Sequence, residues 1–198
     1  MITFTNISTE KPYQHWMEMY NEASKKNQYS IEAAAISSWN NASNEVDSRF
    51  VNIKYINHNQ WIFFSNYSSQ KASQFASHDQ ISVLFYWPSN QSQIRIKAKI
   101  FKSDSVLSDQ HFSMRSDEKN ALAISSDQSS PAKSYEDVVL KYDKALKNSD
   151  LSDRPDYWGG YSFTPYYFEF WKGHDSRLNM RDVYEIKDDD WHHSVVQP

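Results

Sequence analysis

No cysteine occurs in this 198-residue chain, and glycine occurs three times, at Gly159, Gly160 and Gly173. Without thiols there are no disulfides, no thiolate catalysis, no iron–sulfur cluster and no cysteine-based zinc site. Three glycines in these positions cannot build a G-x-G-x-x-G turn or a Walker A loop, which offer phosphate their backbone amides through spaced glycines. A G-x-S-x-G nucleophile elbow is missing as well. If a phosphate is bound, side chains must therefore do most of the holding. Basic charge is not in excess, with 21 Lys and Arg against 25 Asp and Glu, a net charge of −4. That argues against nucleic acid or an anionic membrane as partner. No apolar run is long enough to span a bilayer, and MITFTNISTEKPYQHW has no basic stretch leading into an apolar one. The expectation is a soluble, cytoplasmic protein folded as one domain over residues 1–198.

Aromatic residues are plentiful, at 16% of the chain, so Trp, Tyr and Phe must fill much of the core. Tyr13, Trp16, Met17, Tyr20 and Ala23 recur at helical spacing behind Pro12, which predicts a core-facing helix over about 12–25. Short strands follow at 31–37, 49–56 and 60–66, the last two forming a hairpin across Asn-His-Asn. A short helix is predicted over 68–78. ISVLFYW at 81–87 reads as a strand buried on both faces, and SQIRIKAKIF at 92–101 alternates apolar with polar. A helical excursion over about 107–148 begins with Ser108 as a predicted cap. Strands return at 161–171, 181–186 and 191–196. Together these patterns predict a mostly antiparallel sheet, closed or half closed, with helices against it.

Several residues could carry chemistry. Arg49 and Lys54 bracket one strand and converge only if its end bends. Phe64-Ser65 ends the next strand and leads into Ser69-Gln70-Lys71 at a helix start, where free amides favour an anion. Gln128-Ser129 lies in a polar loop. The segment FEFWKGHDSRLNMR (168–181) joins aromatic residues to Arg177 and Arg181. The three glycines cluster around it, which suggests backbone in close approach to a ligand. His192-His193 beside Asp188–Asp190 lacks ligand spacing, so no metal site is expected.

In order and spacing these features resemble the pyridoxine (pyridoxamine) 5′-phosphate oxidase family, FMN-dependent flavoproteins, from about Pro12 to Pro198. The most specific part is Phe168-Glu169-Phe170-Trp171 followed by Arg177-Leu178-Asn179-Met180-Arg181, supported by WGG at 158–160, R-x-V-x-x-K at 49–54 and Gln128-Ser129. The resemblance implies a mainly β fold, the FMN-binding split β-barrel, an antiparallel Greek-key-like barrel with helices packed around it. It implies a homodimer with FMN at the interface; the charge balance already argues for no nucleic-acid or membrane partner.

Carried over by position, the cofactor would be held by Arg49, Phe50, Val51, Asn52, Ile53, Lys54, Phe64, Ser65, Gln70, Lys71, Gln93, Gln128, Ser129, Trp171 and Arg181. Substrate would be held by Lys54, His111, Arg115, Lys119, Arg177 and Asn179, with Arg177 and Asn179 at the reacting carbon. The implied reaction oxidises the 4′ carbon of pyridoxamine or pyridoxine 5′-phosphate to pyridoxal 5′-phosphate, with O2 as acceptor. The chain departs from the family pattern mostly on the substrate side. Asn179 stands for the signature His, Met180 for an Asp, His111 for a Tyr and Lys119 for a Ser. On the cofactor side Gln70 replaces an Arg, and Phe64-Ser65 a Tyr-Thr pair. These changes keep two alternatives open: an FMN oxidoreductase of the same fold acting on another reduced ring, such as a dihydro-phenazine, or a flavin-binding protein without turnover.

Overall fold

Helix α1 (Lys11–Lys25) forms behind Pro12 in its first turn and buries Tyr13, Trp16, Met19, Tyr20 and Ala23 on one face. In the computed structural model, which describes residues 1–198, that face closes one end of a barrel. Trp16 lies at its centre, with the rings of Tyr20, Trp61, Phe85 and Trp87 between 4.7 and 6.0 Å away. The core that surrounds it comprises 27 buried residues, many of them aromatic.

The strands are β1 (Thr3–Thr5), β2 (Ala33–Asn40), β3 (Glu45–Asn52), β4 (Tyr55–Asn57), β5 (Gln60–Asn66), β6 (Gln80–Trp87), β7 (Ser92–Lys102), β8 (Trp158–Lys172), β9 (Met180–Lys187) and β10 (Asp190–Val195). They lie in the order β1-β4-β5-β8-β7-β6-β2-β3, with β9 and β10 added beside β8. All pairings are antiparallel except β1 with β4. The barrel closes at Ile53-Lys54. The amide of Ile53 still donates to Glu32 on the β2 side, at 2.9 Å, whereas the amide of Lys54 donates to Ile62 of β5, at 2.8 Å. The strand predicted over 49–56 is thus two strands, and this bend changes the inward-facing parity from Val51 and Ile53 to Ile56.

Strand β8 organises the rest. Its first half pairs with β5, its second half with β9, and β7 runs along its other edge. Pro165 is tolerated because the β7–β8 register shifts beside it, between Lys97 and Ala98. Helix α2 (Gln70–Ser77) follows β5, and α3 (Ser105–Ser113), α4 (Asp117–Ser125) and α5 (Tyr135–Asn148) fill the excursion between β7 and β8. The β9–β10 connection is a two-residue turn, with Asp188 and Asp189 both at positive φ, as a type I′ hairpin requires.

Three expectations are corrected. Strand β6 alternates instead of being buried on both sides: Ile81, Val83, Phe85 and Trp87 face the core while Tyr86 is exposed. Asp104, not Ser108, caps α3, its carboxylate accepting from the Val106 amide at 2.7 Å; Ser108 lies inside the helix and accepts from the Gly160 amide. At Gly159 and Gly160 the close approach expected of a ligand is made by the protein itself. Gly159 and Gly160 lie inside β8 at ordinary φ, and a Cβ there would strike Tyr67 and Ser103 respectively. Their backbone is approached by the chain's own side chains.

Candidate active site

Ser65 is the penultimate residue of β5, and Lys71 lies in the first turn of α2, so strand end and helix start converge. Lys71 Nζ donates to Ser65 Oγ at 3.2 Å, to Ser69 Oγ at 3.2 Å and to Gln128 Oε1 at 3.0 Å. Ser65 Oγ also donates to Gln128 Oε1, at 3.1 Å. No carboxylate pairs with Lys71. Burial, and then the charge of Arg49, pull its pKa down to about 8. Arg49, inward-facing on β3, is itself lowered, chiefly by burial. It donates from Nη1 to Ser38 Oγ at 2.5 Å and from Nη2 to Gln74 Oε1 at 2.8 Å. Two cations held close together, hydrogen-bonded to neutral oxygens and with only Asp47, 3.9 Å from Arg49 Nη2, as counter-charge, fit a phosphate dianion, which would relieve both shifts. Ser129 follows in the same loop at φ 74°.

A second cationic group lies on the other side of Phe64. The His111 ring stacks on Phe64 at 3.8 Å and 11°, and Phe64 in turn stacks on Trp158 at 5.4 Å. Tyr55 Oη lies 2.8 Å from His111 Nδ1. Arg115 packs over the Trp158 ring at 4.3 Å and donates from Nη2 to the Lys119 carbonyl at 2.7 Å, while its Nη1 is buried without a partner. Burial pulls the Arg115 guanidinium down to about 10. Burial, followed by the charges of Arg115, Lys54 and Lys119, pulls His111 down to about 4. An unpartnered guanidinium nitrogen amid these cations again fits an oxyanion.

The remaining candidates lie at the far end of β8. Gln93, Trp171 and Arg181 stand opposite one another across β7, β8 and β9. Arg181 grips Glu169 through Nε at 3.0 Å and Nη2 at 2.7 Å, and Arg95 reaches the same carboxylate at 2.5 Å. Burial alone would raise the Glu169 carboxyl, but hydrogen bonds from Arg181 and Tyr167 and the two arginine charges outweigh it, leaving it below the usual range. Beyond β8, the Asn179 carbonyl accepts from the His174 amide at 3.1 Å, and Arg177 is in the left-handed region at φ 63°. A straight 15-residue strand spans roughly 50 Å. Trp158 and Trp171, at its two ends, belong to groups that share no hydrogen bond or ring contact within one chain.

The structure therefore brings together Arg49, Ser65, Lys71 and Gln128 in one place, and Lys54, His111, Arg115 and Lys119 in another. It sets Gln93, Trp171, Arg177, Asn179 and Arg181 apart from both. Phe50 and Asn52 face outward, Val51 is half-buried, and Ile53 is fully buried in the core, so only its backbone could meet a ligand. Gln70 turns to Asp47 at 3.2 Å. Sequence reasoning missed Gln74, Tyr55 and the role of Glu169. A signal existed for Gln74: it lies one helical turn after Gln70, and both donate to Asp47.

Comparison with known proteins follows the same division of the chain. A family model described as "Pyridoxamine 5′-phosphate oxidase" matches residues 21–146, and one described as "Pyridoxine 5′-phosphate oxidase C-terminal dimerisation region" matches residues 158–198. A pyridoxine/pyridoxamine 5′-phosphate oxidase of Cytophaga hutchinsonii is 36% identical over 152 residues, 75% of this chain and 71% of that protein. One from Leptospira biflexa is 32% identical over 181 residues, 90% and 85% of the two chains. Among solved structures, PhzG from Burkholderia lata 383, in complex with tetrahydrophenazine-1-carboxylic acid, superposes with a TM-score of 0.89 at 23% identity, covering 95% of this chain and 93% of that one. A pyridoxamine 5′-phosphate oxidase-related, FMN-binding protein from Nostoc punctiforme gives 0.77 at 14% identity, covering 96% and 100%. Both show the split-barrel fold.

Proposed function

The chain belongs to the pyridoxine/pyridoxamine 5′-phosphate oxidase family, and we propose that it is an FMN-dependent oxidase of pyridoxamine or pyridoxine 5′-phosphate. One observation carries this reading. Two cation-rich groups, around Lys71 and around Arg115, flank the adjacent residues Ser65 and Phe64, and cofactor and substrate each bring one phosphate. Arg49, Lys71, Ser65 and Gln128 hold the FMN phosphate, with Ser129 beside them. Lys54, Arg115, Lys119 and His111 hold the substrate phosphate. FMN, when bound, supplies two-electron oxidation of the 4′ carbon, with dioxygen as terminal acceptor.

The set at the far end of β8 completes the site from a second subunit. The matched dimerisation region contains Trp171, Arg177, Asn179 and Arg181, and these lie at the opposite end of β8 from Lys71 and His111. In a homodimer the partner's copy of this set lies against the two phosphate pockets. Trp171 walls the flavin, Gln93 and Arg181 meet its polar edge, and Arg177 and Asn179 orient the substrate.

Asn179 favours a second reading, an FMN oxidoreductase acting on a different reduced ring. Its side-chain carbonyl is engaged by the His174 amide, and an amide neither carries charge nor acts as an acid or base near neutral pH. Reconstitution with FMN followed by anaerobic addition of pyridoxamine 5′-phosphate tests both. Bleaching of the flavin band with formation of pyridoxal 5′-phosphate is the expected result. A protein that binds FMN but is not bleached favours the second reading, or a flavin binder without turnover. A protein that cannot take up FMN overturns both.

A further inference from the structure

We propose that Tyr55 is a positioning residue, whose hydroxyl fixes the tautomer of His111 so that its Nε2–H is presented to the substrate phosphate. This rests on the assignment of the Lys54, His111, Arg115 and Lys119 group to that phosphate. Tyr55 Oη lies 2.8 Å from His111 Nδ1 and makes no other hydrogen bond. Burial raises the Tyr55 phenol above its ordinary pKa, so it keeps its proton, and Nδ1 is the acceptor within reach. A neutral imidazole has one N–H. If Nδ1 accepts, the proton is on Nε2.

The surroundings make this choice matter. His111 is packed face to face against Phe64 and lies parallel to Trp158, so its ring cannot rotate Nδ1 away from Tyr55 without breaking that stack on the way. Tyr55 meets its edge, at 87° and 5.4 Å. The charged groups facing it are Lys54 beside β4, Arg115 between α3 and α4, and Lys119 on α4. Those cations, together with burial, keep the ring neutral at neutral pH in the ligand-free pocket. A neutral ring can still donate one hydrogen bond to an anion, but only in the Nε2–H form. The other tautomer would aim a lone pair at a phosphate oxygen. His111 thus adds a directional donor to a pocket where a fourth positive charge is disfavoured, and Tyr55 supplies the direction.

A double-mutant cycle read alongside the tautomer itself tests this. Nitrogen chemical shifts of 15N-histidine-labelled protein, with His111 assigned through His111→Gln, should show an unprotonated Nδ1 and a protonated Nε2. Tyr55→Phe should mix the two forms and weaken binding of pyridoxal 5′-phosphate to the FMN-loaded protein by roughly fivefold, the worth of one ordinary hydrogen bond. FMN affinity should not change. In a His111→Gln background, whose amide donates whatever Tyr55 does, adding Tyr55→Phe should leave affinity unchanged. Equal losses in both backgrounds would mean a purely structural role and overturn the proposal. So would a protonated Nδ1 in the unsubstituted protein, or unchanged affinity in Tyr55→Phe; each leaves the assignment of the phosphate pocket intact. Failure of the FMN-loaded protein to bind pyridoxal 5′-phosphate at all would overturn both.

Discussion

The side-chain amide of Gln74 stands between Arg49 and Asp47, accepting from Arg49 Nη2 at 2.8 Å through its oxygen and donating to the Asp47 carboxylate through its nitrogen. Gln74 is 1% exposed, and the same oxygen accepts from Ser38 Oγ at 2.6 Å. The amide keeps the carboxylate 3.9 Å from the guanidinium and leaves Arg49 with its charge and two unused donors, Nε–H and one Nη2–H. Gln74→Glu replaces this neutral spacer with a second carboxylate, which takes over the Arg49 charge. FMN affinity, followed by quenching of flavin fluorescence, should fall by roughly tenfold, as for loss of a charge-assisted hydrogen bond. Unchanged affinity would remove Arg49 from the phosphate site.

Lys71 makes FMN binding sensitive to alkali. With its pKa near 8 in the free protein, it is protonated below that pH and must take up a proton to bind phosphate above it. FMN affinity should be level from about pH 7 to 8 and then fall by up to tenfold per pH unit, until the higher pKa of the bound form is reached. Stability of the FMN-free protein should move the other way. Because the folded pKa lies below the ordinary 10.5, this group destabilises the fold while charged, and the penalty is relieved as pH rises from about 8 toward 10.5. Lys71→Met should bind FMN more weakly and lose both trends. An alkaline limb that persists in Lys71→Met would assign it to another group.

The parts of this site that could be read from sequence are those with a local physical signature. Lys71 follows a strand end at a helix start, and the alternation of Ile94, Ile96, Ala98 and Ile100 appears unchanged in β7. The break at Ile53-Lys54 was hidden, since no glycine or proline marks it and only the exchange of hydrogen bonds from Glu32 to Ile62 creates it. The apolar run at 81–87 read as doubly buried because its outward face carries Leu84 and Tyr86, leaving Ser82 as the one polar residue to announce it. Tyr55 and Gln74 act through contacts to His111 and Arg49, distant in the chain, and neutral polar residues leave no periodic trace of such pairing.

Asn179 is where activity can be gained. Its carbonyl oxygen holds the His174 amide, a bond that an imidazole Nδ1 can also accept. Asn179→His should therefore keep the 173–179 loop in place while its imidazole is neutral, and protonation near neutral pH, which turns Nδ1 into a donor, exchanges that one bond for a positive charge. The expected result is a severalfold rise in the rate at which pyridoxamine 5′-phosphate bleaches the flavin, greater below pH 7, where the imidazole is protonated. A rate that stays flat across pH 6–8 would show that residue 179 does not limit turnover on this substrate.

Gly160 tests whether the glycines of β8 serve packing. It pairs with Phe64 across the sheet, and a Cβ on it would lie 2.7 Å from Ser103 Oγ and 2.8 Å from Ser103 Cβ, with Phe64 at 3.2 Å. Ser103 cannot swing away freely, because its amide donates to the Gly160 carbonyl at 2.9 Å and its hydroxyl bonds Ser162 at 2.8 Å. Gly160→Ala should then cost about 1–3 kcal/mol, typical of forcing atoms into a packed interior. Because the clash includes Ser103 Cβ, Ser103→Ala would not relieve it, whereas Ser103→Gly should recover much of the loss. Thermal denaturation of Gly160→Ala, Ser103→Gly and the pair separates the possibilities, since a ligand-clearance role predicts lost FMN affinity with stability intact and no rescue. Recovery in the double variant alone identifies the side chain that the missing Cβ makes room for.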